Sequence, residues 1–208
     1  SYARLPNLPP DSVIKRTLMK ISKIAHRTGD LQVSNEDVLQ LIKEQSITFK
    51  GDLQAAVDKI NTGLTFTGFR QRCWIPENQN LFDTIVDCIH EAISDIRVEE
   101  IETLIFVGVG RVFLEPATSA LIAKKLGISP HCFDVIEACQ SWTRACFLVD
   151  GLYKGGSLQG KTLIVNSEVH ALKGISGSKD FGIEHMTDLE WKFPVYTMGD
   201  AVTATIVE

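Results

Sequence analysis

The chain has 208 residues, which is enough for one domain with a substantial core or for two small ones. Its net charge of −5 at pH 7 argues against nucleic acid as the main partner, and its apolar runs are too short to span a bilayer. The five cysteines are odd in number and contain no C-x-x-C pair, so neither a disulfide framework nor a zinc site is indicated. A reduced, cytoplasmic setting is therefore expected.

The first eighty residues are predicted to be mainly helical. Residues 1–10 contain three prolines and are expected to be irregular. Apolar spacing predicts helices over residues 13–25, 34–42 and 53–60, the last ending at Asn61-Thr62-Gly63. A turn and an extended segment follow at residues 67–74. Its two arginines, Arg70 and Arg72, could hold an anionic group or form a surface ion-pair cluster.

From residue 81 onward, helical and strand patterns alternate. The predicted elements are a helix (81–96), a buried strand (103–109), a helix (117–126), a strand (132–137), a helix following Cys139, a strand (161–167), a polar irregular segment (171–193) and a final strand (201–207). Alternation of this kind is typical of an α/β layered fold with a mixed, largely parallel sheet.

Cys139 lies where a predicted strand passes into a predicted helix. A thiol at that position is close to unpaired backbone N–H groups and to the positive end of a helix dipole, and both favour the nucleophilic thiolate. The same N–H groups can stabilise an oxyanion that develops beside the sulfur. Cys139 is therefore a candidate acyl-accepting nucleophile. The alternative is a buried, inert cysteine, since free cysteines are among the most buried residues.

Four stretches resemble motifs of one known family, in the same order along the chain. They are TGFRQR (residues 67–72), EPATS (115–119), FDVIEAC (133–139) and MGDAVTA (198–204). Together they resemble the thiolase superfamily and, within it, the β-ketoacyl-ACP synthase III-like condensing enzymes. The resemblance implies a thiolase-like layered fold in which residues 67–208 form the N-terminal half of the domain and residues 1–66 form a helical cap.

The resemblance also implies a function. Cys139 falls on the acyl-carrying cysteine of that family, so the chain is expected to be an acyltransferase that is loaded from an acyl-CoA or acyl carrier protein thioester. The acyl group would then pass to a malonyl-type or other acceptor, in fatty acid, polyketide or specialised metabolism. Arg70 and Arg72 are weaker candidates for binding the donor. No cofactor beyond the thioester substrate is expected.

The sequence departs from the family in one major respect. Family members have two similar halves, and the second half carries the catalytic histidine, whereas none of the five histidines here matches that motif. The condensation base is therefore expected from a C-terminal half or a second chain, in a homodimer or heterodimer. His170, just beyond a strand, could approach the site or lie in a solvated loop. The competing hypothesis is a non-catalytic subunit that serves as a dimerisation platform and in which Trp142 blocks the acyl pocket.

Overall fold

The computed structural model describes residues 19–111, 114–169 and 180–208. The strands are β1 (Ile21–Thr28), β2 (Leu31–Ser34), β3 (Gln71–Trp74), β4 (Ile101–Val107), β5 (His131–Val135), β6 (Lys161–Glu168) and β7 (Ala201–Val207). The α-helices are α1 (Asn35–Gln45), α2 (Leu53–Thr67), α3 (Leu81–Ala92), α4 (Thr118–Leu126), α5 (Ser141–Lys154) and α6 (Leu189–Thr197). Short 3₁₀ turns occur at Val98–Glu100, Ala138–Gln140 and Met186–Asp188.

Five strands form one mixed sheet in the order β1-β7-β6-β4-β5. The β4 strand pairs in parallel with both β5 and β6, while β7 pairs antiparallel with β6 and β1. The predicted α/β layered fold with a mixed sheet is confirmed, and its parallel part contains the strands that lead to Cys139. In the register across these three strands, Val107 lies opposite Asn166 on one side and Val135 on the other.

Helices cover both faces of this sheet. Ile85 and Ile89 of α3 and Ile122 of α4 pack on the face that includes Leu104 and Phe106. On the opposite face, the α5 residues pack against alternate positions of β4, β6 and β7: Ala145, Val149 and Tyr153 contact Ile105, Val107, Ile164 and Val207. The β4 strand is thus buried on both faces, as its uninterrupted apolar sequence predicts.

A second apolar cluster lies beside the main sheet. The β2–β3 pair and the helices α1, α2 and α6 build it, with Ile42, Leu64, Trp74 and Tyr196 among its buried side chains. Ser34 caps α1 through a reciprocal bond with Asp37. No helix in residues 19–111, 114–169 or 180–208 combines the length and the apolarity needed to cross a bilayer.

Three expectations from the sequence are wrong in the described residues. The helix predicted over residues 13–25 is replaced from Ile21 by β1, because backbone pairing with β7 outweighs the local apolar spacing; residues 13–18 lie outside the described part. The third helix does not stop at Asn61-Thr62-Gly63 but continues to Thr67. Position 63, inside that helix, requires a glycine because a Cβ there would stand only 2.8 Å from the ring of Phe193.

The third wrong expectation concerns the segment predicted to be irregular, residues 171–193. From Leu189 it forms α6, whose Tyr196 is fully buried and donates a hydrogen bond to the Phe181 carbonyl. Residues 171–179 and His170 lie outside the described residues. The boundary between residues 66 and 67 stays a prediction; β1 and β2, which precede it, pair with β7 and β3, which follow it.

Candidate active site

Cys139 occupies a turn between the parallel edge of the sheet and a helix. The β5 strand ends at Val135, the 3₁₀ turn spans Ala138–Gln140, and α5 begins at Ser141. Ala138 has a φ of 44°, in the left-handed region that L-residues adopt at a cost. The strand therefore passes into the helix through a tight turn, and this turn presents Cys139 as an exposed free thiol.

Ser141 closes this turn. Its buried hydroxyl accepts a hydrogen bond from the Glu137 N–H at 2.7 Å and donates to the Ala138 carbonyl at 2.8 Å. The Gln140 N–H donates to the Glu137 carbonyl at 3.0 Å. Both residues that precede Cys139 are thus held by one side chain. The sequence reasoning missed Ser141, although a serine at the first position of a helix is a recognisable signal of local side-chain-to-backbone bonding.

An ion pair braces the turn from the solvent side. Arg144, one turn into α5, donates through Nε and Nη2 to the two carboxylate oxygens of Glu137 at 2.6 and 2.9 Å. Arg144 lowers the pKa of the Glu137 carboxyl. Because both side chains are more than 40% exposed, the pair contributes little to stability and mainly orients Glu137.

The start of α5 supplies the electrostatics that acyl transfer needs. The Ser141 N–H donates to the Ala138 carbonyl, and the N–H groups that follow it in the first turn of this 14-residue helix lie at the positive end of the helix dipole. They lie beside the Cys139 turn, where an oxyanion would develop as a thioester is attacked. This arrangement favours a nucleophilic role for Cys139, which stays a prediction.

The remaining cysteines are less suited to act as nucleophiles because their side chains are wholly or partly buried. Cys88 is fully buried, and burial raises the pKa of its thiol to about 11. Burial also raises the pKa of the Cys132 and Cys146 thiols. Cys73 is half-buried in β3. Cys139 is the exposed thiol among the five cysteines, all of which lie in the described residues.

Asp134 connects two of the sequence motifs. This residue of β5 extends its carboxylate to the start of α4, where it accepts from the Thr118 N–H at 2.8 Å, the Ser119 N–H at 3.0 Å and the Ser119 hydroxyl at 2.7 Å. A carboxylate at a helix N-terminus is stabilised by the free N–H groups there. The EPATS and FDVIEAC motifs are therefore in direct contact.

The MGDAVTA motif contacts the segment that directly follows TGFRQR. The Asp200 N–H donates to the Cys73 carbonyl at 2.7 Å, and its carboxylate accepts from the Ile75 N–H at 2.9 Å. In addition, the Gly29 N–H donates to the Asp200 carbonyl. The MGDAVTA motif thus fixes the position of the segment that follows TGFRQR.

The two candidate arginines have different environments. Arg70 is exposed, whereas Arg72 is only 5% exposed and donates to the Ser34 carbonyl and to Asn35 Oδ1, each at 2.9 Å. Burial lowers the pKa of the Arg72 guanidinium. These bonds tie β3 to the start of α1, which is a structural role. In the part of the chain that the structure describes, no hydrogen bond or ion pair joins Arg70 or Arg72 to Cys139, and binding of the acyl donor by either arginine stays a prediction.

Trp142, the second residue of α5, lies on the sheet face that this helix covers. Its indole N–H donates to Thr205 Oγ1 of β7 at 3.1 Å, and its ring packs with the α5 cluster. Trp142 therefore fills this face as part of the apolar core. Among the described residues, no group of three or more histidine, cysteine or carboxylate side chains is arranged to hold a metal ion.

Comparison with known proteins places the chain near one group of enzymes. No family model matches it. It is 36% identical over 77 residues to an acyl-CoA:acyl-CoA alkyltransferase of Shewanella oneidensis, a match that covers 35% of this chain and 22% of that protein. Over 102 residues it is 30% identical to the enzyme of the same name from Xanthomonas campestris, covering 47% of this chain and 30% of the relative.

Solved structures agree over most of the chain. A cysteine-to-serine variant of Xanthomonas campestris OleA with bound lauric acid and lauroyl-CoA superimposes with a TM-score of 0.69 at 17% identity, covering 92% of this chain and 56% of the OleA chain. A glutamate-to-alanine variant of OleA gives a TM-score of 0.68 at 17% identity, covering 91% and 55%. The chain therefore spans just over half the length of these structures. Its fold and its sequence matches confirm the resemblance to the thiolase superfamily.

Proposed function

We propose that this chain carries the nucleophile of a condensing acyltransferase that uses fatty acyl-CoA. The observation that carries the proposal is the exposed Cys139 thiol on a tight strand-to-helix turn of a thiolase-like fold. Sequence similarity to enzymes named acyl-CoA:acyl-CoA alkyltransferases supports the choice of substrate class.

The first step would be transfer of an acyl group to sulfur. The Cys139 thiolate attacks the thioester carbonyl, and the N–H groups at the start of α5 stabilise the oxyanion. When the tetrahedral intermediate collapses, the bond between the acyl carbon and the CoA sulfur breaks. The CoA thiolate leaves and takes up the proton that the Cys139 thiol lost to solvent. The product is an acyl thioester on Cys139.

The second step would transfer this acyl group to a carbon nucleophile. The names of the curated relatives point to a second acyl-CoA as the acceptor, in place of the malonyl-type acceptor of the ketoacyl synthases. Forming that nucleophile requires a base. We propose that the base comes from outside the described residues, from further chain or from a partner subunit. An acyl carrier protein donor with a malonyl-type acceptor, as in the β-ketoacyl synthase III-like enzymes, is the alternative pairing of substrates for the same nucleophile.

We further propose that the protein acts as a dimer. In the part of the chain that the structure describes, β5 pairs with β4 on one side and forms the edge of the sheet on the other. The outer side of α5 beside this edge exposes Phe147 and Leu148. An unpaired edge next to an apolar helix face is suited to pairing with a second copy.

A non-catalytic subunit is the alternative function. The packing of Trp142 favours it, because the ring fills part of the sheet face under α5, where an acyl chain could otherwise lie. The two functions differ in whether Cys139 reacts with a thioester.

Intact-mass measurement on the natural full-length protein tests the proposal. Incubation with lauroyl-CoA should add one lauroyl group, and Cys139→Ala should abolish the addition. Cys132→Ala is the matched control, because it removes another thiol of the same segment and should leave the addition intact. If wild-type protein gains no mass while Cys139 still reacts with iodoacetamide, the acyl-transfer function is wrong and the non-catalytic subunit is favoured.

A further inference from the structure

The carboxyl end of β6 contains a group of polar atoms that the acyl-transfer chemistry does not use. Asn166, Ser167 and Glu168 end this strand, next to the Gly108–Gly110 exit of β4. Among the residues that the structure describes, neither the buried Asn166 Oδ1 nor the buried Ser167 Oγ has a hydrogen-bond partner. Buried polar atoms without partners are uncommon and indicate a specific role.

Close packing fixes the β4 exit against this strand end. A Cβ on Gly108 would stand 2.4 Å from Asn166 Oδ1 and 2.9 Å from Glu168 Oε1, so both oxygens lie near the same point. Gly108 has a φ of 96°, a conformation that L side chains rarely adopt. The Gly110 N–H donates to the Ser167 carbonyl at 2.8 Å. The exit of β4 is therefore held by the end of β6.

Glu168 is the titratable member of this group. Burial raises the pKa of its carboxyl, and a hydrogen bond from the Val109 N–H offsets this effect only in part. A raised pKa favours the neutral acid, whose O–H can donate where a carboxylate cannot. Asn166 Oδ1 lies beside it as a buried acceptor that lacks a donor.

The β4 exit also contacts the segment that carries Cys139. Val107 is in register with Val135 of β5, four residues before Cys139. Arg111, which follows the exit, donates to the Leu114 carbonyl and lies 3.8 Å from the carboxylate of Asp134. Adjacent strands lie about 4.8 Å apart, so β6 is about two strand spacings from β5 and acts on Cys139 through β4.

We propose that Glu168 is a positioning residue for Cys139: together with Asn166 it fixes the exit of β4, the strand that pairs with β5, which leads to Cys139. This inference rests on the proposed role of Cys139 as the nucleophile. Glu168 accepts from the Val109 N–H, and in its neutral form it donates to the neighbouring Asn166 Oδ1, so that one side chain links β6 to the exit of the central strand. Its contribution is a reactive orientation of the thiol rather than contact with the substrate.

The test is the rate at which iodoacetamide alkylates Cys139 in the natural full-length protein, followed by intact mass at a temperature where circular dichroism shows each variant folded. Glu168→Gln can reproduce both hydrogen bonds of the neutral acid and should keep the wild-type rate at a pH low enough to hold Glu168 protonated, and every variant is compared at that pH. Glu168→Ala should slow alkylation on the order of tenfold, since small displacements of a reacting group have effects of this size or larger. If Glu168→Ala does not fold, Glu168→Leu fills the same space without the hydrogen bonds and serves in its place.

Glu102 provides the matched control at the opposite end of the sheet. Its carboxylate likewise accepts a backbone bond, from the Gly160 N–H at 2.9 Å, and Glu102→Ala should leave the alkylation rate unchanged. Equal rates for wild type and the loss variants of Glu168 would overturn the inference, and so would a Glu168→Gln variant as slow as Glu168→Ala. Alkylation needs no acyl-CoA, so it tests the role of Glu168 separately from acyl transfer. If alkylation depends on Glu168 but the protein takes up no lauroyl group, the acyl-transfer function is refuted and the positioning role of Glu168 stands.

Discussion

The Ser141 hydroxyl should decide whether the Cys139 turn keeps its shape. Ser141→Ala removes the acceptor of the Glu137 N–H and the donor to the Ala138 carbonyl. Each lost partner costs about 1–3 kcal/mol when its group stays buried. Because Glu137 and Ala138 are exposed, water replaces part of each bond, and we expect a loss near the lower limit, about 2 kcal/mol in total.

Two measurements test the effect of Ser141→Ala. Urea unfolding gives the loss of stability, and alkylation of Cys139 by iodoacetamide reports the geometry of the turn, which should relax because Ala138 is no longer held at positive φ. Ser94→Ala is the matched control: the Ser94 hydroxyl is exposed, and within the described residues it accepts a single hydrogen bond, from Lys23 Nζ at 2.9 Å. A loss below about 0.5 kcal/mol, the usual range for surface substitutions, together with an unchanged alkylation rate, would refute this reasoning.

Two further predictions concern carboxylates near the site. The folded state raises the pKa of Glu168, so its stabilising contribution is complete below the unfolded value of about 4.3 and is lost as the pH rises through the folded value. Glu168→Gln should therefore unfold at higher urea concentration than wild type at pH 8, with little difference at pH 4; a wild type that is more stable at pH 8 would contradict this. Asp134→Asn removes the charge that caps α4 and should cost about 1–2 kcal/mol, measured by urea unfolding, with amide exchange increased first at Thr118 and Ser119. Unchanged exchange at those two amides would show that the carboxylate does not hold the helix start.

Much of the fold follows from local patterns in the sequence. The buried strands β4, β6 and β7 and the amphipathic helix α3 have unbroken or periodic apolar sequences, and their predicted positions are confirmed within a few residues. The β1 strand could not be predicted in the same way. Its apolar residues fit a helical spacing, and only its pairing with β7, more than 170 residues away in sequence, makes it a strand.

Glycine illustrates the same limit. Gly68 and Gly127 end helices in the left-handed conformation, which is the common role of glycine at a helix C-terminus. At Gly63 it continues the helix, because a distant aromatic ring needs the space that a side chain would fill. Sequence alone shows a glycine in both cases and does not show the neighbour that decides between them.

The candidate site also has one part that the sequence predicts and another that only the fold reveals. Cys139 is recognisable from its motif and its place between a strand and a helix. Its supports are harder to recognise: Ser141 at the start of a helix signals local side-chain-to-backbone bonding but not which groups it binds, and Asp134 acts on a helix that begins sixteen residues earlier. Glu168 lies on a different strand altogether. Their roles depend on which backbone groups the fold leaves without partners, and tertiary contacts determine this.

The outer side of α5 links the site to assembly. Phe147 is 68% exposed and Leu148 37% exposed, and they line a groove of about 370 Å³ together with Phe133 of the edge strand β5. Arg144, which braces the Cys139 turn, also lies over the Phe147 ring, 6.0 Å from its centroid. A second copy that docks on this surface would therefore also cover the brace of the turn.

If two copies dock there, Phe147→Glu should weaken their association strongly. Burying a phenylalanine side chain contributes about 1.5–3 kcal/mol, and a twofold interface contains the residue twice. A loss of about 3–6 kcal/mol raises the dissociation constant by at least on the order of a hundredfold, which sedimentation over a range of protein concentrations can resolve. Phe66→Glu is the matched control, since Phe66 is 90% exposed on α2 and lies outside this groove. Equal weakening by the two substitutions, or a wild-type protein that stays monomeric at the highest concentration, would show that a second copy does not dock on this surface.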